Sequence, residues 1–230
     1  MREEIRFILD RIDHAALHPT LSEDQILKEI DLAVDYRVAS ICVQPSWVPM
    51  SVKRVQGQIP VCTVIGFPQG VGFSEVKKAE AVRALSEGAK ELDMVLHVGK
   101  ALMGDWVYVE EEVRALAELC HQHDALLKVI LETDYLQETE FIRQACQTCV
   151  ASGADFVKTS TGFGFVKGAD ERYSSKGAQL AHVKLMRATV GPTVGVKASG
   201  GIRSLDDAQR MIQAGANRLG TSATQKIAEE

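Results

Sequence analysis

Lys158 lies within ADFVKTSTG, residues 154–162, an apolar run of strand type followed by a glycine turn. An ammonium in such a run is expensive to bury unless it is paired or gives up its charge. A lysine held with a lowered pKa is the amine nucleophile that forms Schiff bases with carbonyl compounds. Taken singly, a strand-end lysine more often reaches solvent or meets a carboxylate.

This lysine is not single. Lys128 interrupts the apolar run 125–132, Lys197 interrupts 193–200, and Asp93 interrupts 91–96. Three segments share one grammar of helix-closing glycine, alanine, polar residue, then strand: EGAKELDMV, SGADFVKTS and AGANRLGTS. Five residues after each glycine stand Asp93, Lys158 and Gly220, which predicts similar heights near the strand ends, with Lys128 in a comparable place. Gathered round one mouth, three lysines raise each other's cost of carrying charge, which lowers the pKa of at least one. From a reference near ~10.4, a working value of about 7–8 requires burial or neighbouring cations. Asp93 offers the opposite charge and a carboxylate able to shuttle a proton. A Lys–Asp network that merely fills the interior is the competing reading, and buried ion networks are costly enough to favour a site. Spacing alone leaves Lys158 and Lys197 interchangeable.

A second constellation is glycine-rich. Ser199-Gly200-Gly201 follows one strand-like run, and Gly220-Thr221-Ser222 closes the last one. Exposed backbone N–H groups in such turns suit a phosphate. Other candidates are weaker. Cys146 and Cys149 have a CxxC spacing but share a helical face with Ile142 and Ala145, so packing accounts for both. Cys120, His121 and His123 have no second cluster to complete a metal site. Cys42 reads as core that could line a pocket, and His14 beside Asp13 is open to either reading.

The elements that must position these groups alternate regularly. Thr20 and Glu23 have capping-box spacing ahead of a helix carrying Ile26, Ile30, Ala33 and Val34. Strands are predicted at 39–44, 59–67, 91–96, 125–132, 154–162, 193–200 and 218–223, with helices between them and a polar loop at 163–177. About eight strand-then-helix units, apolar on both strand faces, predict a single (β/α)8 TIM barrel over 1–230. A doubly wound open sheet is the alternative, and no strand runs into a GxGxxG turn to support it.

The 230 residues carry 26 basic and 31 acidic side chains, a net charge of -5, which argues against a nucleic-acid or polybasic membrane surface. The N-terminal stretch is charged and lacks an apolar signal core, and five scattered cysteines suit a reducing compartment, so the cytoplasm is expected.

Together the motifs IDHAALHP, ASICVQP, VCTVIGFPQG, ELDMVLHVG, LLKVILET, GADFVKTSTGFG, VGVKASGGIR and RLGTSA resemble those of the deoxyribose-phosphate aldolase family, class I aldolases of the (β/α)8 type. The resemblance implies Lys158 as the Schiff-base lysine, Lys197 as its neighbour, and Asp93 as a partner in proton relay. It implies Asp13, Cys42 and Lys128 as supporting pocket residues, and Thr161, Gly162, Gly200, Gly201, Gly220 and Ser222 as the phosphate cradle. The activity implied is reversible cleavage of 2-deoxy-D-ribose 5-phosphate to D-glyceraldehyde 3-phosphate and acetaldehyde, with no metal or organic cofactor. His18 stands where that family usually has lysine, Ala15 where it has threonine, and Arg37 where glycine is common. Another phosphosugar barrel, a related lysine aldolase or an isomerase, is the alternative, with a non-catalytic phosphosugar-binding barrel behind it. The state of assembly is open, homo-oligomers included.

Overall fold

A computed structural model describes residues 2–168 and 171–230. The barrel strands are β1 (Ile12–Ala16), β2 (Ser40–Val43), β3 (Val61–Ile65), β4 (Glu91–Val95), β5 (Leu126–Ile130), β6 (Phe156–Lys158), β9 (Gly195–Ser199) and β10 (Arg218–Thr221). All pair in parallel with their chain neighbours, and β1 pairs with β10, so the sheet closes. That closure removes the open-sheet alternative. The short antiparallel hairpin β7 (Val166–Lys167) and β8 (Tyr173–Ser174) lies in the stretch read as a polar loop. Two residues in so short a pairing give no strand periodicity to read, and 169–170 fall outside the described residues.

The helices are α1 (Glu3–Leu9), α2 (Glu23–Asp35), α3 (Val48–Val55), α4 (Ser74–Ser86), α5 (Val98–Leu102), α6 (Trp106–Gln122), α7 (Thr139–Ala151), α8 (Leu180–Val190), α9 (Leu205–Gln213) and α10 (Thr224–Glu229). They cover the outer face of the barrel, and the main apolar core lies between the two layers. Outward strand residues such as Leu92, Met94, Val129 and Val157 are fully buried there.

One local expectation changes, and two further details emerge. The capping box of α2 is Ser22 with Gln25, not Thr20 with Glu23. Ser22 is extended and accepts the Gln25 N–H, whereas Thr20 turns back to bond His18. The charged N-terminus forms α1, because Ile5, Ile8 and Leu9 fall on one face and are buried. Arg37 adopts φ 48, the left-handed conformation that favours glycine, and the Arg6 guanidinium donates to the Tyr36 and Arg37 carbonyls at 2.8 Å.

Candidate active site

Side chains two apart on a strand share a face, so each charged inward residue brings a second position with it. Glu91 and Asp93 point inward together on β4, as do Arg218 and Gly220 on β10. The barrel interior thereby collects four cations, Lys128, Lys158, Lys197 and Arg218, against three carboxylates, Asp13, Glu91 and Asp93. Asp93 is the hub. Its Oδ2 accepts from Lys158 and Lys197 Nζ at 2.7 Å each, and its Oδ1 from Lys128 Nζ at 2.9 Å. Asp13 lies 2.5 Å from Lys197 Nζ, 3.3 Å from Lys128 Nζ and 2.5 Å from Arg218 Nη1. The Ser40 hydroxyl donates to Asp13 Oδ1 at 2.7 Å, and Glu91 reaches Lys128 at 2.5 Å.

These carboxylates act against the mutual repulsion of the cations at Lys128 and Lys197. Burial pulls Lys128 and Lys197 down, but Asp13 and Asp93 outweigh it and hold both ammonium groups above the ordinary lysine value. The reciprocal holds for the acids. Burial pushes Asp13 and Asp93 up, and the surrounding lysines overcome it, so both carboxyls sit well below the usual range. A count of three lysines and one aspartate missed Asp13 as an ion partner and missed Glu91 and Arg218 entirely. Their signal was available: both are charges at i−2 from a position already singled out, on the same strand face.

The network separates the three lysines. Lys128 contacts three carboxylates and Lys197 two, whereas Lys158 has one, an Asp93 oxygen it shares with Lys197. Lys158 and Lys197 line a pocket of about 550 Å³ in the barrel mouth, and Lys128 lies beneath it with Asp93. Register explains the difference. Lys158 pairs directly with Lys197, while Lys128 pairs with Phe156, one inward position earlier. Gly220 pairs with Ser199, one inward position beyond Lys197. Equal counts from a helix-closing glycine therefore do not give equal heights, because strands in a tilted barrel are staggered.

Asp13, Cys42, Thr161, Gly162, Gly200, Gly201, Gly220 and Ser222 all line the same pocket. Gly162, Gly200 and Gly201 have φ of 84, 97 and 79, backbone conformations that glycine adopts at little steric cost. The opposite wall is apolar: Leu17, Cys42, Cys62 and Val64 form a small cluster with Ala15, Phe67 and Phe163. His18 stands at this rim and bonds Thr20. His14 faces outward, buried between Thr224 at 2.8 Å and Glu29 at 2.6 Å.

Cys42 and Cys62 are register partners, and their sulfur atoms lie within 4.8 Å of each other and of an Asp93 oxygen. The set is metal-like in ligand type, but both Asp93 oxygens already accept from ammonium groups, a surrounding that repels a cation. The Cys62 thiol donates to Asp93 Oδ1 at 3.2 Å and accepts from Lys128 Nζ at 3.3 Å. Cys146 and Cys149 are buried on α7, as packing required, and burial pushes the Cys146 thiol up to about 12. Cys120 is buried on α6 and His121 meets Asp155 at 3.1 Å.

Comparison with known proteins agrees with this geometry. Residues 8–227 match the family model described as DeoC/LacD family aldolase. A deoxyribose-phosphate aldolase of Streptococcus mutans is 52% identical over 219 residues, covering 95% of this chain and 94% of the relative. One from Caldanaerobacter subterraneus subsp. tengcongensis is 44% identical over 230 residues, covering 99% and 95%. Among solved structures, a tetrameric deoxyribose phosphate aldolase from Aeropyrum pernix superposes with a TM-score of 0.86 at 32% identity, covering 98% of this chain and 91% of the other. A Coccidioides immitis structure described as a putative deoxyribose-phosphate aldolase gives 0.89 at 38% identity, covering 98% and 85%. The likeness to aldolases thus runs along almost the whole chain, and the chain belongs to the DeoC/LacD aldolase family.

Proposed function

We propose that this chain is a class I deoxyribose-phosphate aldolase whose Schiff-base residue is Lys158. The observation that carries the assignment is the position of Lys158 Nζ at the pocket floor, held by one shared carboxylate oxygen, while its register partner Lys197 also meets a second carboxylate, Asp13. Lys158 can leave Asp93 for a carbonyl carbon and Lys197 stays paired.

In the cleavage direction Lys158 Nζ adds to the C1 aldehyde of 2-deoxy-D-ribose 5-phosphate, and the carbinolamine loses water to an iminium. That iminium accepts electrons from the bond β to it, so C2–C3 breaks once the C3 hydroxyl loses its proton. The Asp93 carboxylate, acting through water with the Lys197 ammonium beside it, is the base that takes that proton. Glyceraldehyde 3-phosphate departs, leaving a two-carbon enamine on Lys158. Protonation at C2 and hydrolysis release acetaldehyde and free the amine. The glycine turns at 162, 200–201 and 220 line the same pocket, which supports a role in holding the phosphate and so fixing C1 against the amine.

Chemistry of this kind needs only the two small substrates as partners and acts within one catalytic domain. Among the described residues no helix is long and apolar enough to cross a membrane, and all five cysteines are free and buried, which supports a reducing compartment such as the cytoplasm. Exposed Phe73 and Val107 flank the Ser74–Tyr108 contact between α4 and α6, and with the tetrameric relative they support a homo-oligomer.

The test is to incubate the protein with acetaldehyde, reduce with borohydride, and map the adduct by mass spectrometry. An ethyl group on Lys158 is expected. No adduct, or one on another lysine, overturns the assignment.

A further inference from the structure

Glu132, two residues past the end of β5, combines three unfavourable features. It has φ 54, a left-handed backbone strained for any residue with a side chain. Its side chain is buried, with the residue 1% exposed. Its Oε1 has no hydrogen-bond partner among the described residues. An apolar residue would avoid the last cost and a glycine the first, so the carboxyl must be supplying something that neither could.

What it supplies is a brace. Oε2 accepts both the Thr161 backbone N–H, at 3.2 Å, and the Thr161 hydroxyl. Thr161 Oγ1 in turn accepts the Phe163 N–H at 2.9 Å, and Phe163 packs edge-on against Phe67 with centroids 5.4 Å apart. Gly164 closes over the carboxyl so tightly that a Cβ there would lie 2.8 Å from Glu132 Cδ. Thr161, Gly162 and Phe163 line the pocket, three to five residues beyond Lys158, whereas Glu132 stands behind them. The left-handed turn at Glu132 is what carries its side chain across from β5 to the segment leaving β6.

We propose that Glu132 is a positioning residue: it fixes the 161–164 turn, and thereby the substrate phosphate relative to Lys158, without touching substrate, and it does so as an uncharged carboxyl. The inference rests on the aldolase reading above for its substrate. The unpartnered Oε1 is the oxygen suited to carry the proton, since an ionised carboxylate would leave it as a bare buried charge. Burial pushes the Glu132 carboxyl up, the bonds from Thr161 pull it partly back, and Asp134 and Lys158 act in opposite senses.

Glu132→Gln keeps the acceptor for Thr161 and the neutral state, whereas Glu132→Ala removes the brace. The measurement is kcat and KM on 2-deoxyribose 5-phosphate and on phosphate-free 2-deoxyribose, with borohydride-trapped acetaldehyde adduct and the melting shift induced by inorganic phosphate. Glu132→Ala is expected to raise KM for the phosphorylated substrate about tenfold with kcat changed less than about threefold. It should leave the adduct yield and the phosphate-free reaction near wild type and abolish the phosphate-induced shift. Glu132→Gln should restore KM to within about twofold. Should Glu132→Ala fail to fold, Gly164→Ala presses on the same carboxyl from outside the pocket and is expected to raise KM likewise. Equal losses on both substrates, a kcat fall at constant KM, or a Gln variant as impaired as Ala would overturn the inference. Failure of the aldolase reading shows separately, as a wild-type protein that forms no adduct yet still gives the phosphate shift.

Discussion

Lys158 and Lys197 are direct register partners across β6 and β9, and both donate to one oxygen, Asp93 Oδ2, at 2.7 Å. Their equivalence ends at Asp13, which lies 2.5 Å from Lys197 and has no ion pair with Lys158. The two lysines should therefore fail differently. Lys158→Met is expected to abolish both the borohydride-trapped adduct and aldol cleavage. Lys197→Met should still give an adduct on Lys158, formed more slowly, with kcat/KM lower by about 10²–10⁴-fold, the range of a lost proton-transfer partner. Trapping rates and peptide mapping on both variants decide the point; an adduct that survives Lys158→Met would sink the division of roles.

Among the described residues Asp93 is the only carboxylate shared by all three lysines, and removing its charge leaves the three side-chain nitrogens facing an amide. Breaking a buried pair by deleting one partner costs about 3–5 kcal/mol. Asp93→Asn is expected to fall in that range by urea unfolding at pH 7 and to lose about 10²–10⁴-fold in kcat. A variant as stable as wild type would mean that water or anions already neutralise this interior.

The barrel was legible because its strands are apolar on both faces and its helix-closing glycines recur, and both patterns are local. Lys158, Lys197 and Asp93 were legible for the same reason, as charges breaking apolar runs. Arg218 was not, because it opens its strand and reads as a boundary residue until Asp13 and Glu91 close on it. Glu132 was not, because nothing local announces a left-handed glutamate. Only the loop that crosses from β6, bringing Thr161 and Gly164 onto the carboxyl, gives the position meaning. The stagger between Lys128 and Lys158 escaped for a related reason: register belongs to the closed barrel and not to any one strand.

Acid should dismantle the network from the carboxylate side. The folded pKa values of Asp13 and Asp93 lie below their unfolded values, so the stability they contribute is fully present above the unfolded carboxyl range. It is lost as pH falls below about 4 toward the folded values. Unfolding free energy by urea should drop steeply from about pH 4 to about pH 2. In Asp13→Asn the drop should be shallower, so that the gap between variant and wild type narrows in acid. A gap that stays constant with pH would show that Asp13 acts through packing and not through charge.

Gly220 is held to glycine by proximity and not by backbone conformation. A Cβ there would lie 2.7 Å from Ser199 Cβ and 3.2 Å from Lys197 Cε. Neither neighbour can withdraw: the Ser199 hydroxyl donates to the Ser160 carbonyl at 2.5 Å, and Lys197 Nζ is pinned between Asp13 and Asp93. Gly220→Ala must therefore push β10 away from β9 or dislodge Lys197, and overpacking of this kind costs about 1–3 kcal/mol. Gly72, with nothing within 4 Å of an added Cβ, is the control. Gly220→Ala is expected to lower kcat/KM at least about tenfold, because a misplaced catalytic group is penalised far beyond its displacement. Gly72→Ala should match wild type in both kinetics and urea midpoint. If the two variants behave alike, the close approach of β10 to Lys197 does not set the geometry of the site.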